Sequence, residues 1–315
     1  MLKAESVSKT YGTKRALDNI SFSCERGELI GLIGQNGAGK TTLLKILAGR
    51  LAPSAGHAEI DGHDILWEPE ITRPLIGYLP EKPGLYEEMT VVDQLRFVCD
   101  LNGVIREDIE RHIAELADRT GITDVLGRKI GNLSKGYRQR VSLAAALAGN
   151  PEIILLDEPT TGLDPVQISE IRSLIKALSA DHLVILSTHI LRDLDGLCTR
   201  AIMLNQGKLI QDIRLTEDAQ KERRLRVEIA MGRDAAKHLL EHLTTVRSVE
   251  LLPSQTPGVT AAFITGAYDA MMEHELFQAL KKQDAALMHL STVKNALEEV
   301  FISTLTAQPD EGVQA

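Results

Sequence analysis

Cysteine is scarce in this sequence, and its few positions follow no pattern. Only Cys24, Cys99 and Cys198 occur in 315 residues, and no two of them form a CxxC pair. An odd number of scattered cysteines argues against a disulfide framework and against a zinc site built from cysteine pairs. We therefore expect the protein to work in a reducing compartment, the cytoplasm.

Long apolar runs are also absent. No segment reaches the roughly 18 uninterrupted apolar residues that a membrane-spanning helix needs. The first residues, MLKAESVSKTYG, alternate between polar and apolar side chains as a strand does, and they contain no apolar core of a signal peptide. We expect that this chain does not itself cross a membrane.

Positive charge is not in excess. Lys and Arg total 35 against 44 Asp and Glu, which gives a formal net charge of -9. This balance argues against a surface dedicated to nucleic acid phosphates, although local basic sites stay possible, and we expect no nucleic acid partner. The sequence also has no internal repeat, and its 43% hydrophobic and 25% charged content is typical of a folded protein.

The first part of the chain alternates between strand and helix patterns. Residues 1 to about 30 alternate with a period of two and predict antiparallel strands that lead into the apolar run Leu29–Ile33. From Lys40 the spacing becomes helical, and this helix is expected to end at Gly49. The segment is therefore a strand, a glycine loop and a helix.

A helical insert follows at about 84–150. Its spacing predicts helices that start near Thr90 and Arg106. After the insert, a buried strand, a helix and a second buried strand are predicted at 153–157, 165–180 and 183–188. Strands that alternate with helices indicate an α/β fold with a mostly parallel sheet.

A polar, charged stretch separates two predicted domains. The first domain covers 1–212, and a linker covers 213–223. The order of patterns in 224–308 is strand, helix, strand, strand, helix, strand and a final helix. This order is compatible with a small α+β domain of the ferredoxin-like kind, followed by a flexible tail at 309–315.

A phosphate-binding loop is predicted at GQNGAGKT, which matches the pattern GxxxxGK[ST] between a strand and a helix. The backbone N–H groups and the helix N-terminus would surround phosphate, Lys40 would reach the terminal phosphates and Thr41 would offer its hydroxyl to Mg²⁺. A glycine turn without function is the disfavoured alternative. The residues expected to hold the nucleotide are Gly34, Gln35, Asn36, Gly37, Ala38, Gly39, Lys40, Thr41 and Thr42.

Two acids end the buried strand IILLD, in the sequence IILLDEP. Ionised side chains are costly there unless a metal, water or substrate uses them. Asp157 is expected to hold Mg²⁺, directly or through water, and Glu158 to polarise the attacking water. Acids that merely cap a strand end are the alternative. Together with the loop, these acids indicate a nucleoside triphosphatase.

Taken with the loop and the acids, LSKGYRQR at 133–140 resembles the signature of ATP-binding cassette (ABC) proteins, whose first four positions usually read LSGG. Ser134 and Gly136 match that pattern, whereas Lys135 replaces its first glycine. Lys135 either adds positive charge near the phosphate or points to solvent, and we favour solvent. The resemblance covers about 1–212 and implies the P-loop ABC cassette fold, bound ATP and Mg²⁺, and ATPase activity.

Other motifs occur in the order of that family. The resemblance implies that Tyr11 stacks on adenine, that Asp164 contacts a second subunit and that His189 reads the terminal phosphate as a catalytic residue beside Lys40 and Glu158. Alone, such a tyrosine or histidine would more often serve packing or local hydrogen bonding.

Cassettes of this family pair head to tail. The resemblance therefore implies that Ser134 and the N–H groups around Gly136 meet the γ-phosphate held by the loop of the other chain, in a homodimer or in a heterodimer with a second cassette. The helix N-terminus after Ser134 would bind this anion, which explains why the signature contains no acid or base.

The segment YLPEKPGLYEEMTV and the sequence LEEVF at 297–301 are similar to ATP-binding subunits of ABC-2-type exporters. Glu81 replaces the Gln of many cassettes and is expected near Mg²⁺ and the attacking water. The resemblance implies a separate membrane-spanning permease, with this chain on the inner face of the cytoplasmic membrane. A soluble ABC ATPase that acts on ribosomes or nucleic acid, and an ATP-binding regulator without turnover, remain alternatives.

Histidines of the second domain raise the question of a metal site. His238 and His242 are four residues apart on a predicted helix, which is a spacing that metal ligands use. No third ligand is evident near them, so we favour surface positions without metal. We expect the domain to support dimerisation or regulation.

Overall fold

The computed structural model describes residues 1–194, 196–215, 222–254, 256–267 and 271–293. The chain divides into two compact units. The first ends at Arg214 and the second begins at Leu215.

Strands and helices alternate through the first unit. Its strands are β1 (Leu2–Tyr11), β2 (Lys14–Cys24), β3 (Leu29–Ile33), β4 (Ala55–Ile60), β5 (His63–Asp64), β6 (Ile76–Leu79), β7 (Ile153–Asp157), β8 (Leu183–Thr188), β9 (Arg200–Asn205) and β10 (Lys208–Arg214). Its α-helices are α1 (Lys40–Leu47), α2 (Pro69–Thr72), α3 (Val91–Leu101), α4 (Ile109–Thr120), α5 (Lys135–Leu147) and α6 (Pro165–Leu178). Short 3-10 turns occupy 73–75, 106–108, 123–125, 130–132 and 191–194.

A six-stranded sheet forms the centre of the first unit, in the order β10-β9-β3-β8-β7-β6. The four strand pairs from β9 to β6 are parallel, and β10 pairs antiparallel with β9. Every residue of β3, β7 and β8 is buried. Both faces of these strands are covered, which is why their sequences are continuous apolar runs. The prediction of a mostly parallel sheet is confirmed.

A second, antiparallel sheet has the order β2-β1-β4-β5. Its strands alternate between buried and exposed positions because one face is covered and the other faces solvent. Apolar side chains of this sheet, of α1 and of the central sheet form one buried cluster. Helix α1 therefore has a fixed position between the two sheets, and so does the glycine loop that leads into it.

The helical insert contains α3, α4 and α5. Thr90 caps α3, because its side chain accepts a hydrogen bond from Asp93 N over 3.2 Å. Arg106 begins a 3-10 turn, and the α-helix after it starts only at Ile109. The predicted starts therefore hold for α3 and are early by three residues for α4.

The second unit contains β11 (Glu222–Ile229), α7 (Arg233–Glu241), β12 (Val246–Leu252), β13 (Thr260–Ala267), α8 (Met272–Lys282) and β14 (Leu287–Val293). Its antiparallel sheet has the order β12-β13-β11-β14. Buried side chains from both helices and from β11 and β13 form a separate apolar core. This βαββαβ order is the one that the sequence predicts.

The boundary between the units differs from the predicted linker of 213–223. Strand β10 continues to Arg214 and β11 begins at Glu222, so both strands extend into that range. The predicted final helix, the LEEVF sequence at 297–301 and the tail at 309–315 lie outside the described residues.

The three cysteines are buried and form no disulfide. Burial raises the pKa of Cys24 to about 12 and that of Cys99 to about 11, and it also raises the pKa of Cys198. These thiols are therefore poor nucleophiles at neutral pH. Within the described ranges, no helix combines the length and the hydropathy that crossing a membrane requires.

Candidate active site

An open cleft of about 540 Å³ lies beside the glycine loop. It brings together residues that the sequence separates by up to 178 positions, from Tyr11 to His189. Three of its lining residues were not predicted: Lys14, Ala16 and Thr161. The predicted residues that line it are Tyr11, Asn36, Gly37, Ala38, Gly39, Lys40, Thr41, Thr42, Glu81, Glu158 and His189.

The shape of the loop depends on glycine at two positions. Gly39 caps α1 with φ of 108°, and a Cβ there would lie 2.7 Å from the Ala16 carbonyl oxygen. A Cβ on Gly34 would lie 2.4 Å from the Leu204 carbonyl oxygen. Any larger residue would force the loop away from the neighbouring strands, so both positions require glycine.

Lys40 is nearly buried at the start of α1. Its Nζ donates to the carbonyl oxygens of Gly34 over 2.7 Å and Gln35 over 3.3 Å, and it lies 3.5 Å from Glu158 Oε1. A buried ammonium is costly without such partners. The loop carbonyls and Glu158 together keep this charge beside the cleft.

Asp157 is fully buried at the end of β7. Its Oδ1 accepts from Thr41 Oγ1 over 3.2 Å and from Ser187 Oγ over 2.7 Å. Its Oδ2 is buried and has no hydrogen-bond partner in the described part of the chain. Buried carboxylate oxygens are normally satisfied, so the free oxygen points to a group that binds there.

Glu158 adopts a left-handed backbone conformation with φ of 51°. Its N–H donates to Ser187 Oγ over 3.0 Å. Its Oε2 is 2.9 Å from His189 Nδ1 and accepts from Thr161 Oγ1 over 3.2 Å. The structure therefore places three predicted catalytic side chains, those of Lys40, Glu158 and His189, in one contact network.

Six predicted residues lie outside the lining of this cleft, and three of them, Gly34, Gln35 and Asp157, belong to the loop and to the end of β7 described above. The other three lie in the signature or after it. Ser134 caps α5, because its Oγ accepts from Tyr137 N over 3.4 Å. Asp164 caps α6 through two N–H groups of its first turn. Gly136 is buried against the Gln167 side chain. Neither Ser134 nor Gly136 lines the cleft of its own chain.

Lys135 is exposed, and its side chain lies beside the turn that contains Gly162. A Cβ on Gly162 would clash with the Lys135 ammonium group, so the lysine covers that glycine. Gly162 belongs to the turn between Glu158 and Asp164. The exposure of Lys135 agrees with the favoured solvent interpretation, and its ammonium group lies over Gly162.

Ser187 is the most informative residue that the sequence interpretation missed. It contacts both acids of the cleft. Its only sequence signal is its place in the apolar run LVILST, two residues before His189. A single small polar residue in a strand has no evident role until the neighbouring strand and its register are known.

The histidines of the second unit form no metal site in the described part of the chain. The rings of His238 and His242 are stacked with centroids 4.1 Å apart, and His242 Nδ1 lies 2.7 Å from the His238 carbonyl oxygen. No group of three or more His, Cys, Asp or Glu side chains that could hold a metal occurs among the described residues.

Comparisons with known proteins show the family of this chain. The family model described as ABC transporter matches residues 17–161. The ABC transporter ATP-binding protein NatA of Bacillus subtilis strain 168 is 39% identical over 216 residues, which span 67% of this chain and 88% of NatA. The linearmycin resistance ATP-binding protein LnrL of the same strain is 33% identical over 211 residues, which span 67% of this chain and 68% of LnrL.

A solved structure resembles the first unit. It is a dimeric ATP-binding cassette in a post-hydrolysis state, bound to ADP and phosphate, with a TM-score of 0.63 and 28% identity. The match covers 69% of this chain and 99% of the other one. The predicted P-loop cassette fold is confirmed. The chain belongs to the ABC transporter family and is an ATP-binding, ATP-hydrolysing subunit of such a transporter.

Proposed function

We propose that this protein is the ATPase of an ABC-2-type exporter and drives a separate membrane-spanning permease. The observation that carries the catalytic part is the contact network of Lys40, Glu158 and His189 beside the glycine loop. The export assignment is supported by similarity to a linearmycin resistance protein and by the resemblance of residues 78–91 to such subunits.

ATP would bind along the cleft from Tyr11 to the glycine loop. The Tyr11 side chain is about half exposed at the end of β1, so its ring is available to stack on a base. Lys9 Nζ lies 5.4 Å from the centre of that ring. The phosphates would accept hydrogen bonds from the backbone N–H groups of 34–42. The Lys40 ammonium would then leave the loop carbonyls and bind the phosphates.

The polar atoms beside the loop fit Mg²⁺. Asp157 Oδ2 is a buried oxygen without a partner, and Mg²⁺ prefers oxygen ligands from carboxylates, hydroxyls and nucleotide phosphates. We assign Thr41 and Asp157 to hold the ion, with Glu81 close to it or to its waters. When bound, Mg²⁺ would neutralise negative charge on the transferred phosphoryl group.

Glu158 is the proposed general base. Its carboxylate lies at the cleft, where it can accept a proton from a water molecule that attacks the terminal phosphate. His189 Nδ1 contacts Glu158 Oε2 and orients this carboxylate. Without nucleotide, the Lys40 ammonium forms an ion pair with the Glu158 carboxylate. When ATP is bound, Lys40 would instead stabilise negative charge on the phosphates.

The signature would complete the site of a second chain. Ser134 begins a helix of 13 residues, whose first N–H groups carry partial positive charge and bind anions well. We assign Ser134 and Gly136 to the γ-phosphate bound by a partner cassette, and Asp164 to the contact between the two cassettes. The partner is a second copy of this chain or another cassette.

A strip of exposed apolar side chains on the helical insert supports the proposed permease contact. Phe97 and Leu101 are four residues apart on α3 and lie on one face of it. Tyr86 meets Phe97 edge to face, with centroids 5.9 Å apart, and Ile105 follows α3. The exposed fractions of Tyr86, Phe97, Leu101 and Ile105 are 55%, 39%, 67% and 65%.

We assign this apolar strip to a cytoplasmic segment of the permease. Large side chains exposed together mark an interaction surface. This contact would hold the chain at the inner face of the cytoplasmic membrane.

We expect Phe97→Glu to keep its basal ATPase activity and to lose stimulation by the permease. The carboxylate would have to be buried in the apolar contact, which weakens binding about tenfold or more. Co-purification with a candidate ABC-2-type permease of the same organism, and ATPase rates with and without it, measure both effects. Phe277→Glu is the matched control, since Phe277 is an exposed phenylalanine of the second unit.

Unchanged stimulation of Phe97→Glu would refute this docking surface. If the ATPase activity of the wild-type protein is stimulated by ribosomes or nucleic acid but not by the permease, the transporter assignment is refuted in favour of a soluble ABC ATPase.

Glu81→Gln is expected to need about tenfold more Mg²⁺ for half-maximal hydrolysis and to bind ATP normally. An amide replaces a negative charge that faces the ion or its waters, so attraction for the ion falls. Titration of ATPase activity with Mg²⁺ is the measurement, and Glu88→Gln is the control because Glu88 pairs with Lys129 at the surface. A wild-type titration curve for Glu81→Gln would make Glu81 an ordinary surface acid.

A further inference from the structure

One buried hydroxyl connects the two acidic residues of the cleft. Ser187 is the second-last residue of β8, where it is in register with Asp157 of the parallel neighbour β7. Both residues are fully buried. Ser187 Oγ donates to Asp157 Oδ1 over 2.7 Å and accepts from the Glu158 backbone N–H over 3.0 Å. The same oxygen atom therefore contacts consecutive residues that have different proposed roles.

The two hydrogen bonds of Ser187 are compatible with each other. A serine hydroxyl has one proton to donate and two lone pairs that accept. Glu158 N–H can only donate, so Ser187 accepts there and its proton is available for Asp157. With Thr41 also bonded to Oδ1, the remaining Oδ2 is the carboxylate oxygen without a partner. Ser187 thus determines which oxygen of Asp157 stays available.

Glu158 depends on the same hydroxyl. Its φ of 51° is a conformation that side-chain-bearing residues rarely adopt, and such a conformation persists only where the surroundings hold it. Ser187 Oγ holds the backbone N–H, while His189 and Thr161 contact the carboxylate. Without the hydroxyl, the partly buried N–H would lose its acceptor and the backbone would relax.

We propose that Ser187 is a positioning residue that holds Asp157 for the metal ion and Glu158 for the attacking water at the same time. The proposal rests on the roles assigned above to these two acids. Ser187 itself does not line the cleft and contacts the site only through its neighbours. Its loss should therefore weaken metal binding and slow the chemical step together, while leaving the base and phosphate contacts of the nucleotide intact.

The test compares Ser187→Ala with Ser187→Thr. In the alanine variant, binding of Mn²⁺ in the presence of a non-hydrolysable ATP analogue should weaken about tenfold, as is usual when a group behind a metal ligand is removed. The single-turnover rate at saturating Mn²⁺ should also fall about tenfold. Threonine keeps the hydroxyl and should restore both values. Free Mn²⁺ measured by electron paramagnetic resonance reports binding without any turnover.

Controls separate this effect from a loss of folding. Ser142→Ala removes another buried hydroxyl, which among the described residues donates to the Arg138 carbonyl of its own helix, and should behave as wild type. Analogue binding without metal and thermal unfolding show whether each variant is folded. If Ser187→Ala does not fold, Ser187→Cys replaces it, because a thiol fills the same place but donates only weakly.

Two results would overturn the proposal. Ser187→Ala, or Ser187→Cys in its place, with wild-type Mn²⁺ affinity and rate would show that the hydroxyl positions neither acid. A threonine variant as defective as alanine would show that the hydroxyl is not what matters. Wild-type protein that binds no Mn²⁺ with the analogue would instead refute the metal assignment of Asp157, which is a different failure.

Discussion

Glu158→Gln is expected to bind ATP with nearly wild-type affinity and to hydrolyse it about 100- to 1,000-fold more slowly. Glutamine keeps the size of the side chain, but its neutral amide cannot take a proton from the attacking water. Lys40 lies beside Oε1 of Glu158 and His189 Nδ1 beside Oε2, so the single amide oxygen of glutamine can keep the contact with Lys40 while its NH₂ group faces His189. The variant should therefore keep its affinity for ATP while its rate of hydrolysis falls.

The same variant should accumulate as an ATP-bound dimer. Slow hydrolysis prolongs the state in which two cassettes share bound nucleotide, so size-exclusion chromatography with ATP and Mg²⁺ should show a dimer that ADP does not support. Glu70→Gln is the control, since Glu70 is an exposed acid of α2 that does not line the cleft. A Glu158→Gln protein that stays monomeric with ATP and hydrolyses normally would contradict the base and the ATP-dependent dimer together.

A mixed dimer of one Lys40→Ala chain and one Ser134→Arg chain is expected to regain ATPase activity that neither homodimer has. Under the head-to-tail model, each site combines Lys40 of one chain with Ser134 of the other. In the mixed dimer both substitutions fall in one site, and the second site is intact. With independent sites, turnover should be about half of the wild-type value.

Differently tagged chains allow this heterodimer to be purified and assayed. Each homodimer carries a damaged half in both of its sites and should be almost inactive, because Lys40 and the α5 N-terminus both act on phosphate charge. A mixture of Lys40→Ala chains with two different tags is the control for the purification. A heterodimer no more active than the homodimers, after coupling between sites is measured with one wild-type chain, would remove the support for shared sites.

Much of the candidate site was predictable because its residues lie in short, contiguous patterns. The glycine loop joins a buried strand to a helix, and both neighbours are evident from the sequence. Asp157 and Glu158 end a strand whose five residues are all apolar except the last, and such an end faces the same edge of a parallel sheet as the loop. Local pattern and simple topology therefore suffice to bring loop and acids together.

Ser187 and Lys135 show where this reasoning stops. Ser187 is one small polar residue in an apolar strand, and its partners are about 30 residues away in sequence. Its importance depends on the register of β7 and β8, because a shift of one residue would place a different side chain beside Asp157. Lys135 is a long and flexible side chain, and only the position of the Gly162 turn shows where its ammonium lies.

The sequence by itself determined the class of fold, the nucleotide loop, the paired acids and the membership of the ABC family, because hydrophobic period, glycine spacing and strand ends act over a few residues. The tertiary structure alone decided which oxygen of Asp157 is free and which atoms orient Glu158. It also decided where β10 ends and β11 begins at the boundary between the units. Those features depend on hydrogen bonds and packing between segments that are distant in sequence, and on distances of a few ångströms that no local pattern contains.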